Sequence, residues 1–138
     1  MSPRAKGRLQ GCDRDEALTR LSHARKFLDV AELVATGETA EESATVSAAL
    51  AVLAGIAAAD AACCAALGRR ARGQDHREAV ELLGQVKNSE EPANALRRLL
   101  DLKDTAQYGL IHVSGQNLKA ALRQAGTLVS FAATVLRR

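Results

Sequence analysis

A chain of 138 residues is long enough for one domain with a single buried core. Aromatic residues make up only 2% of the sequence although 47% of it is hydrophobic, so the core must consist of Leu, Val and closely packed Ala, which favours helices and argues against a sheet-based fold. The net charge of +3 permits a nucleic-acid partner but does not require one, because the acidic residues nearly balance the basic ones.

The first residues, MSPRAKGRLQG, are basic and polar and are not followed by an apolar stretch. They therefore do not resemble a signal peptide, and we expect residues 1–12 to form a flexible basic tail before a single domain at residues 13–138. The three cysteines, Cys12, Cys63 and Cys64, have no spacing that suits zinc or a disulfide framework. We expect them to be small reduced core residues in a cytoplasmic protein.

Capping motifs predict the first two helices. The motif Asp13-x-x-Glu16 is a capping box, and apolar residues follow it at three- and four-residue steps as far as Gly37. A second capping box begins at Thr39 and predicts a long helix 2 that ends at Gly68.

Helix 2 includes a stretch, residues 43–68, that is long enough to span a membrane. Its one charged residue, Asp60, would cost about 3 kcal/mol near the centre of a bilayer, and alanines contribute almost nothing to offset that cost. We therefore expect helix 2 to be a core helix and the protein to have no membrane partner.

Three further helices follow. Asp75 is an acidic cap for a short helix 3, and Pro92 suits the first turn of a helix 4 that should end near Gly109. Helix 5 begins at about Ser114 and carries an apolar stripe to the end of the chain. The connections are short enough for antiparallel neighbours, so the sequence predicts an all-α, five-helix up-down bundle.

Two charged side chains fall on apolar helix faces. With side chains placed at about 100° per residue, Asp60 lies near the middle of the apolar face of helix 2, and Lys103 lies near the middle of that of helix 4. Each charge comes about two turns before the end of its helix, and helices 2 and 4 of an up-down bundle run in the same direction. An unpaired charge in a core costs several kcal/mol, so we expect Asp60 to pair with Lys103.

This pair has a structural and a functional interpretation. A buried ion pair can simply fix the register of two helices, and a lysine can extend its ammonium group to the surface. Alternatively, the pair belongs to a polar ligand site that includes neighbours on helix 4. The residues of this candidate polar site are Asp60, Lys103, Asp104, Gln107 and Tyr108.

A second candidate site lies in the basic connection between helices 2 and 3. The N–H groups and the dipole at a helix N-terminus attract anions, and nearby arginines strengthen the attraction. This connection therefore suggests a phosphate-binding site, while a solvated basic loop is the alternative. The residues concerned are Arg69, Arg70, Arg72, His76 and Arg77.

Three segments together resemble the HEPN superfamily, the higher eukaryote and prokaryote nucleotide-binding domains. They are VLAGIAAADAACCAALG in helix 2, DHREAVELL at the start of helix 3 and LRRLLDLKDTAQYG in helix 4, and an Ala-rich last helix follows them. The resemblance covers about residues 16–137. It implies a small five-helix protein of a kind that is often dimeric, and many members of the superfamily are toxin ribonucleases.

The resemblance also implies a catalytic pair that has changed in this chain. Active members carry an arginine, four to six further residues and then a histidine in or just after the fourth helix. The matching positions look like Lys103, followed by Asp104, and Tyr108, and a phenol is a poor substitute for imidazole in moving protons near neutral pH. We therefore expect no catalytic residues there. Arg70 and His76 have the required spacing outside helix 4, which leaves a metal-independent endoribonuclease as an alternative.

Together, the sequence predicts a non-catalytic HEPN-like domain that binds RNA, a nucleotide or a protein partner. The resemblance suggests a role in stress response or in a toxin–antitoxin system, which is an analogy at the level of the fold. A pure protein-interaction module is a further alternative. We expect a homodimer, with no cofactor and no metal.

Overall fold

The computed structural model describes residues 9–36, 41–72 and 76–138. Helix accounts for 82% of this part of the chain, and the prediction of an all-α helical bundle is confirmed. The five helices described are α1 (Arg14–Thr36), α2 (Glu41–Leu67), α3 (His76–Gly84), α4 (Glu90–Tyr108) and α5 (Gly115–Arg137).

Helix α2 is the centre of the bundle. It packs along α1 and α5 over most of its length and also contacts α4, so nearly all its side chains between residues 51 and 64 are buried. Most of these side chains are alanines, whose small size lets neighbouring helices approach closely. The helices approach closely at Gly55, where a Cβ atom would overlap the side chain of Leu99 in α4 and lie 3.2 Å from that of Leu128 in α5.

Local capping signals set several helix ends as predicted. The Asp13 carboxylate accepts a hydrogen bond of 2.8 Å from the Glu16 N–H, and the Glu16 carboxylate accepts one of 3.0 Å from the Asp13 N–H. The Ser114 hydroxyl accepts a hydrogen bond of 3.1 Å from the Asn117 N–H at the start of α5. Gly68 takes the left-handed conformation, with φ at 72°, immediately after α2. The predicted caps Thr39 and Asp75 lie outside the described residues.

A small antiparallel sheet, which the sequence did not predict, joins the start of the described chain to the end of α2. Strand β1 (Leu9–Gly11) pairs with strand β2 (Arg69–Ala71), with Gln10 opposite Arg70. The Cys12 N–H also donates a hydrogen bond of 3.0 Å to the Gly68 carbonyl. The expectation of a flexible tail is therefore wrong for residues 9–12, and residues 1–8 lie outside the described part of the chain.

Cys12 and Cys64 form a disulfide, with their Cα atoms 5.3 Å apart. The expectation of three reduced cysteines is therefore wrong for this pair, because the folding of the first residues back onto α2 was not visible in the cysteine spacing. Cys63 is free and buried. Burial, with a smaller contribution from Asp60, raises the pKa of the Cys63 thiol to about 12, so this thiol stays protonated at neutral pH.

Helix α2 is also long and apolar enough to cross a membrane, with a mean hydropathy of 2.1 over residues 42–67. Of its most apolar window, 67% is buried inside the bundle. The core helix of a soluble protein and a membrane span both satisfy this test, so it does not indicate location.

Candidate functional site

The buried carboxylate of Asp60 pairs with arginines from two other elements. Asp60 Oδ2 accepts hydrogen bonds from Arg20 Nε at 3.2 Å and from Arg20 Nη2 at 2.9 Å. Arg70 Nη1 lies 3.9 Å from the same oxygen. The prediction that Asp60 pairs with Lys103 is therefore wrong, because the carboxylate forms its hydrogen bonds with Arg20.

The antiparallel packing of α1 against α2 explains this choice of partner. Arg20 and Asp60 lie at similar depths from the connection between these two helices, so the packing brings them face to face. Strand β2 begins two residues after the end of α2 and brings Arg70 back over the last turns of the helix. Arg70 Nη2 also donates a hydrogen bond of 3.1 Å to Gln10 Oε1 in β1, so the small sheet positions this arginine.

These side chains line a cavity of about 220 Å³, which we call the Asp60 pocket. This volume is well above what one water molecule needs, so a group such as a phosphate fits. Its described polar and charged lining residues are Arg20, Asp60, Arg70, Arg72, His76 and Lys103, and its apolar ones are Ile56, Ala59, Ala71, Ala79, Leu96 and Leu100.

The charges in the Asp60 pocket do not balance. Arg20, Arg70, Arg72 and Lys103 contribute four cations, and Asp60 contributes the one carboxylate of the described lining. Within the described chain, neither Arg72 nor Lys103 has an acidic group within 4.0 Å. The pocket therefore has an excess of positive charge that can attract an anion.

Burial controls the ionisation of Asp60, which is only 8% exposed. Loss of hydration raises the pKa of this carboxyl, while the charge and the hydrogen bonds of Arg20, and the charge of Arg70, act in the opposite direction. The net shift is upward. The carboxyl therefore binds a proton more tightly in the folded protein than in the unfolded chain.

The structure divides the candidate phosphate-binding residues among three places. Arg70, Arg72 and His76 line the Asp60 pocket. Arg69 is absent from the described lining of that pocket, and its Nη2 donates a hydrogen bond of 3.1 Å to Gln85 Oε1. Arg77 lines an adjoining cavity of about 370 Å³, which shares His76 and Leu100 with the Asp60 pocket and is completed by Val80, Glu81, Arg97 and Asp101.

The candidate polar site is also brought together only in part. Asp60 and Lys103 line the same pocket, although they do not form an ion pair. Asp104 is exposed and is absent from the described lining, and so is Tyr108, which is 72% exposed at the last residue of α4. The side chain of Gln107 lies outside what the structure describes.

Sequence reasoning missed Arg20, the residue that holds Asp60 most closely. It lies among many charged residues of α1, so its type alone did not distinguish it. The position of each residue along its helix could have identified the pair. Arg20 and Asp60 lie at similar distances from the short connection between α1 and α2, and antiparallel neighbours bring such residues together.

No family model matches this chain, and a comparison with curated proteins finds no match. In the part of the chain that the structure describes, no group of three His, Cys, Asp or Glu side chains is arranged to hold a metal ion. The pocket itself is therefore the basis for a proposed function.

Proposed function

We propose that the protein binds the phosphate group of RNA or of a nucleotide in the Asp60 pocket, without cleaving it. The observation that carries this proposal is the pair of cations, Arg72 and Lys103, that line the pocket with no acidic partner within 4.0 Å in the described chain. A phosphate placed between them would supply the missing negative charge.

The geometry around Asp60 supports this proposal. The carboxylate takes Nε and Nη2 of Arg20, which fixes the guanidinium plane and leaves Nη1 outside the pair. Gln10 and Asp60 both restrain Arg70. Arginines that are already held in place lose less conformational entropy when an anion binds, and their planar donors suit phosphate oxygens.

The wider assignment is also a proposal. We propose a HEPN-like domain that forms a homodimer in the cytoplasm and acts in stress response or in a toxin–antitoxin system, with binding of a protein partner as the alternative activity. The position of Tyr108 supports a non-catalytic domain, because this exposed side chain is absent from the described lining of the pocket that includes Lys103. Lys103 and Tyr108, which match the catalytic pair only by resemblance, therefore do not both line this pocket within the described residues.

Binding of a fluorescein-labelled single-stranded RNA, followed by fluorescence anisotropy, tests the proposed function. We expect Arg72→Gln and Lys103→Gln each to weaken binding by about tenfold, the value of one charge-assisted hydrogen bond. We also expect affinity to fall steeply as salt rises, because bound phosphates release counterions. Inorganic pyrophosphate should compete with the RNA.

Arg25→Gln is the matched control, because it removes the same charge from an exposed position outside the described lining of the pocket. It should leave affinity nearly unchanged. If Arg25→Gln weakens binding as much as Arg72→Gln does, the RNA responds to net charge and the pocket is not the site. Absence of RNA and pyrophosphate binding in every variant would also contradict the proposal.

A second candidate function is metal-independent endoribonuclease activity. The observation in its favour is that Arg70 and His76 line the same pocket, so a cation and an imidazole would lie beside a phosphate bound there. An imidazole can move protons near neutral pH, and an arginine can stabilise the charged transition state. RNA cleavage in the presence of EDTA, lost in His76→Ala, would establish this activity. Intact RNA with both proteins would exclude it.

A further inference from the structure

The Cys12–Cys64 disulfide lies next to the Asp60 pocket. Cys64 follows Asp60 by one helical turn at the end of α2, and Cys12 follows β1 directly. The bond therefore ties the strand that contacts Arg70 to the helix that contains Asp60. Cys12 is only half-buried, so a reductant can approach the bond from its side, whereas Cys64 is buried.

Within the described chain, strand β1 is held by few contacts. It is three residues long and pairs there only with the three residues of β2, Leu9 packs partly buried against the core, and its side-chain link to the pocket is the hydrogen bond from Arg70 to Gln10. A sheet of two such short strands is marginal in water when nothing else restrains it. The disulfide is therefore the strongest link that keeps β1 beside β2.

From these contacts we propose that the Cys12–Cys64 disulfide is a redox control on anion binding. When the disulfide is intact, β1 holds Arg70 in the pocket, and when it is reduced, β1 separates and the pocket loses affinity for phosphate. This inference rests on the proposed function, because it concerns regulation of the same pocket. Disulfides are uncommon in cytoplasmic proteins, and those that occur there are often redox-sensing.

The reaction is thiol–disulfide exchange with a dithiol as the reductant. A thiolate of the dithiol attacks the Cys12 sulfur, the bond between the two cysteine sulfurs breaks, and Cys64 leaves as a thiolate that takes up a proton. The second thiol of the reductant then displaces Cys12, which leaves as a thiol. The protein gains two electrons and two protons, and the dithiol becomes a disulfide.

The loss of affinity follows from the loss of preorganisation. With β1 released, Arg70 loses the Gln10 oxygen that orients it, and the backbone groups of β2 lose their partners. Arg70 and Arg72 then sample many orientations, and binding must pay the entropy of ordering them. The Arg20–Asp60 pair stays, because α1 and α2 remain packed against each other.

The experiment compares oxidised and dithiothreitol-reduced full-length protein by anisotropy of the fluorescein-labelled single-stranded RNA. Reduction should weaken binding by about tenfold, as expected for one positioned charge-assisted hydrogen bond. Cys12→Ser should bind weakly under both conditions, whereas the control Cys63→Ser keeps the disulfide and should respond to reduction like the wild type. Hydrogen exchange of residues 9–11 and 69–71 should speed up on reduction while exchange in α2 stays slow.

The outcomes separate this inference from the proposed function. Equal RNA affinity in oxidised and reduced protein would overturn the redox control and leave the phosphate site intact. Three free thiols in protein treated with a mild oxidant, counted by thiol titration, would also overturn it. Absence of RNA binding in the oxidised protein would overturn the proposed function instead. Circular dichroism of Cys12→Ser checks that the helices remain, and reduction of the wild type tests the inference even if that variant does not fold.

Discussion

Asp60 is the residue on which the pocket depends, because two arginines, Arg20 and Arg70, converge on a carboxylate that has little contact with water. A buried carboxylate needs hydrogen bonds as well as opposite charge, and the side-on guanidinium of Arg20 supplies two of them. Lys103, which lines the same pocket, stays without an acidic partner within the described chain. Because Arg20 pairs with Asp60 and Lys103 does not, the ammonium group of Lys103 is available to a ligand.

A double-mutant cycle should distinguish the two cations. Arg20→Met should lower the free energy of unfolding by roughly 2 kcal/mol, because it leaves the Asp60 carboxylate without its hydrogen bonds. Lys103→Met should change it by less than about 0.5 kcal/mol. Urea unfolding of the single and double variants with Asp60→Asn measures the coupling. A coupling energy for Lys103 that equals the one for Arg20 would contradict the observed pairing.

The raised pKa of Asp60 predicts a pH dependence of stability with a definite sign. Because the folded protein binds this proton more tightly than the unfolded chain does, the contribution of Asp60 is most favourable below its ordinary pKa of 3.8 and is lost as pH rises through the raised value. Asp60→Asn cannot titrate. Relative to the wild type, this variant should therefore become more stable as pH rises.

Urea unfolding of both proteins between pH 4 and about pH 8 checks this sign. The exposed Asp29 provides the control, since Asp29→Asn removes a carboxylate that water already solvates. A fall in the stability of Asp60→Asn relative to the wild type as pH rises would show that the arginines, and not burial, dominate the pKa of Asp60.

At the scale of single residues, the sequence predicted which charge is buried but not its partner. Asp60 was recognisable because no other charged residue occurs between residues 43 and 68. Arg20 was not recognisable in the same way, since choosing among the cations of α1 requires knowing the axial offset between α1 and α2 in the packed structure. The Asp13–Glu16 capping box was predictable because both of its hydrogen bonds are made within one helical turn.

At the scale of the helices, two glycines should respond in opposite directions to the same substitution. Gly55→Ala adds a methyl group that overlaps Leu99 and contacts Leu128 tightly, so the free energy of unfolding should fall by roughly 2 kcal/mol. Gly126→Ala places its methyl group in open space in α5, so stability should rise by about 1 kcal/mol through helix propensity. Thermal and urea unfolding measure both. A gain of stability in Gly55→Ala would mean that the three helices do not meet there.

The short strands mark the limit of prediction at this scale. Segments of three residues, such as Leu9–Gly11 and Arg69–Ala71, are too short to show the alternation by which a strand is recognised. Their pairing depends on the path of the chain before α1, and the disulfide depends on the same path. The basic connection was therefore recognised as cationic, whereas the division of its arginines among different surfaces was not.

For the whole molecule, composition sufficed to predict the fold class. A core rich in alanine and poor in aromatic and β-branched residues suits closely packed helices, and the five helices are separated by the Gly, Pro and capping residues that the sequence shows. The pocket was harder to predict, because it combines residues from α1, α2, β2, α3 and α4.

The exposed apolar residues in the connection between α4 and α5 support our expectation of a dimer. Leu110 is fully exposed and Ile111 is 73% exposed, and covering such neighbouring side chains is favourable. Light scattering should give about twice the monomer mass of 14.6 kDa. The double variant Leu110→Asp and Ile111→Asp should give the monomer mass, whereas Leu18→Asp, near the start of α1, should not. A monomer at high micromolar concentration would contradict the expectation.

The central position of α2 has a consequence for synthesis of the protein. Much of the surface that covers this helix belongs to α4 and α5, which the ribosome makes later, so the apolar faces of α2 stay uncovered for several seconds at roughly 5–20 residues per second. During that interval the nascent chain exposes a segment that is long and apolar enough to be inserted into a membrane by the translocation machinery. Asp60 opposes such insertion by about 3 kcal/mol. Translation of Asp60→Leu in the presence of membrane vesicles should therefore increase the membrane-integrated fraction, because the carboxylate that orders the arginines also makes insertion of this helix less favourable.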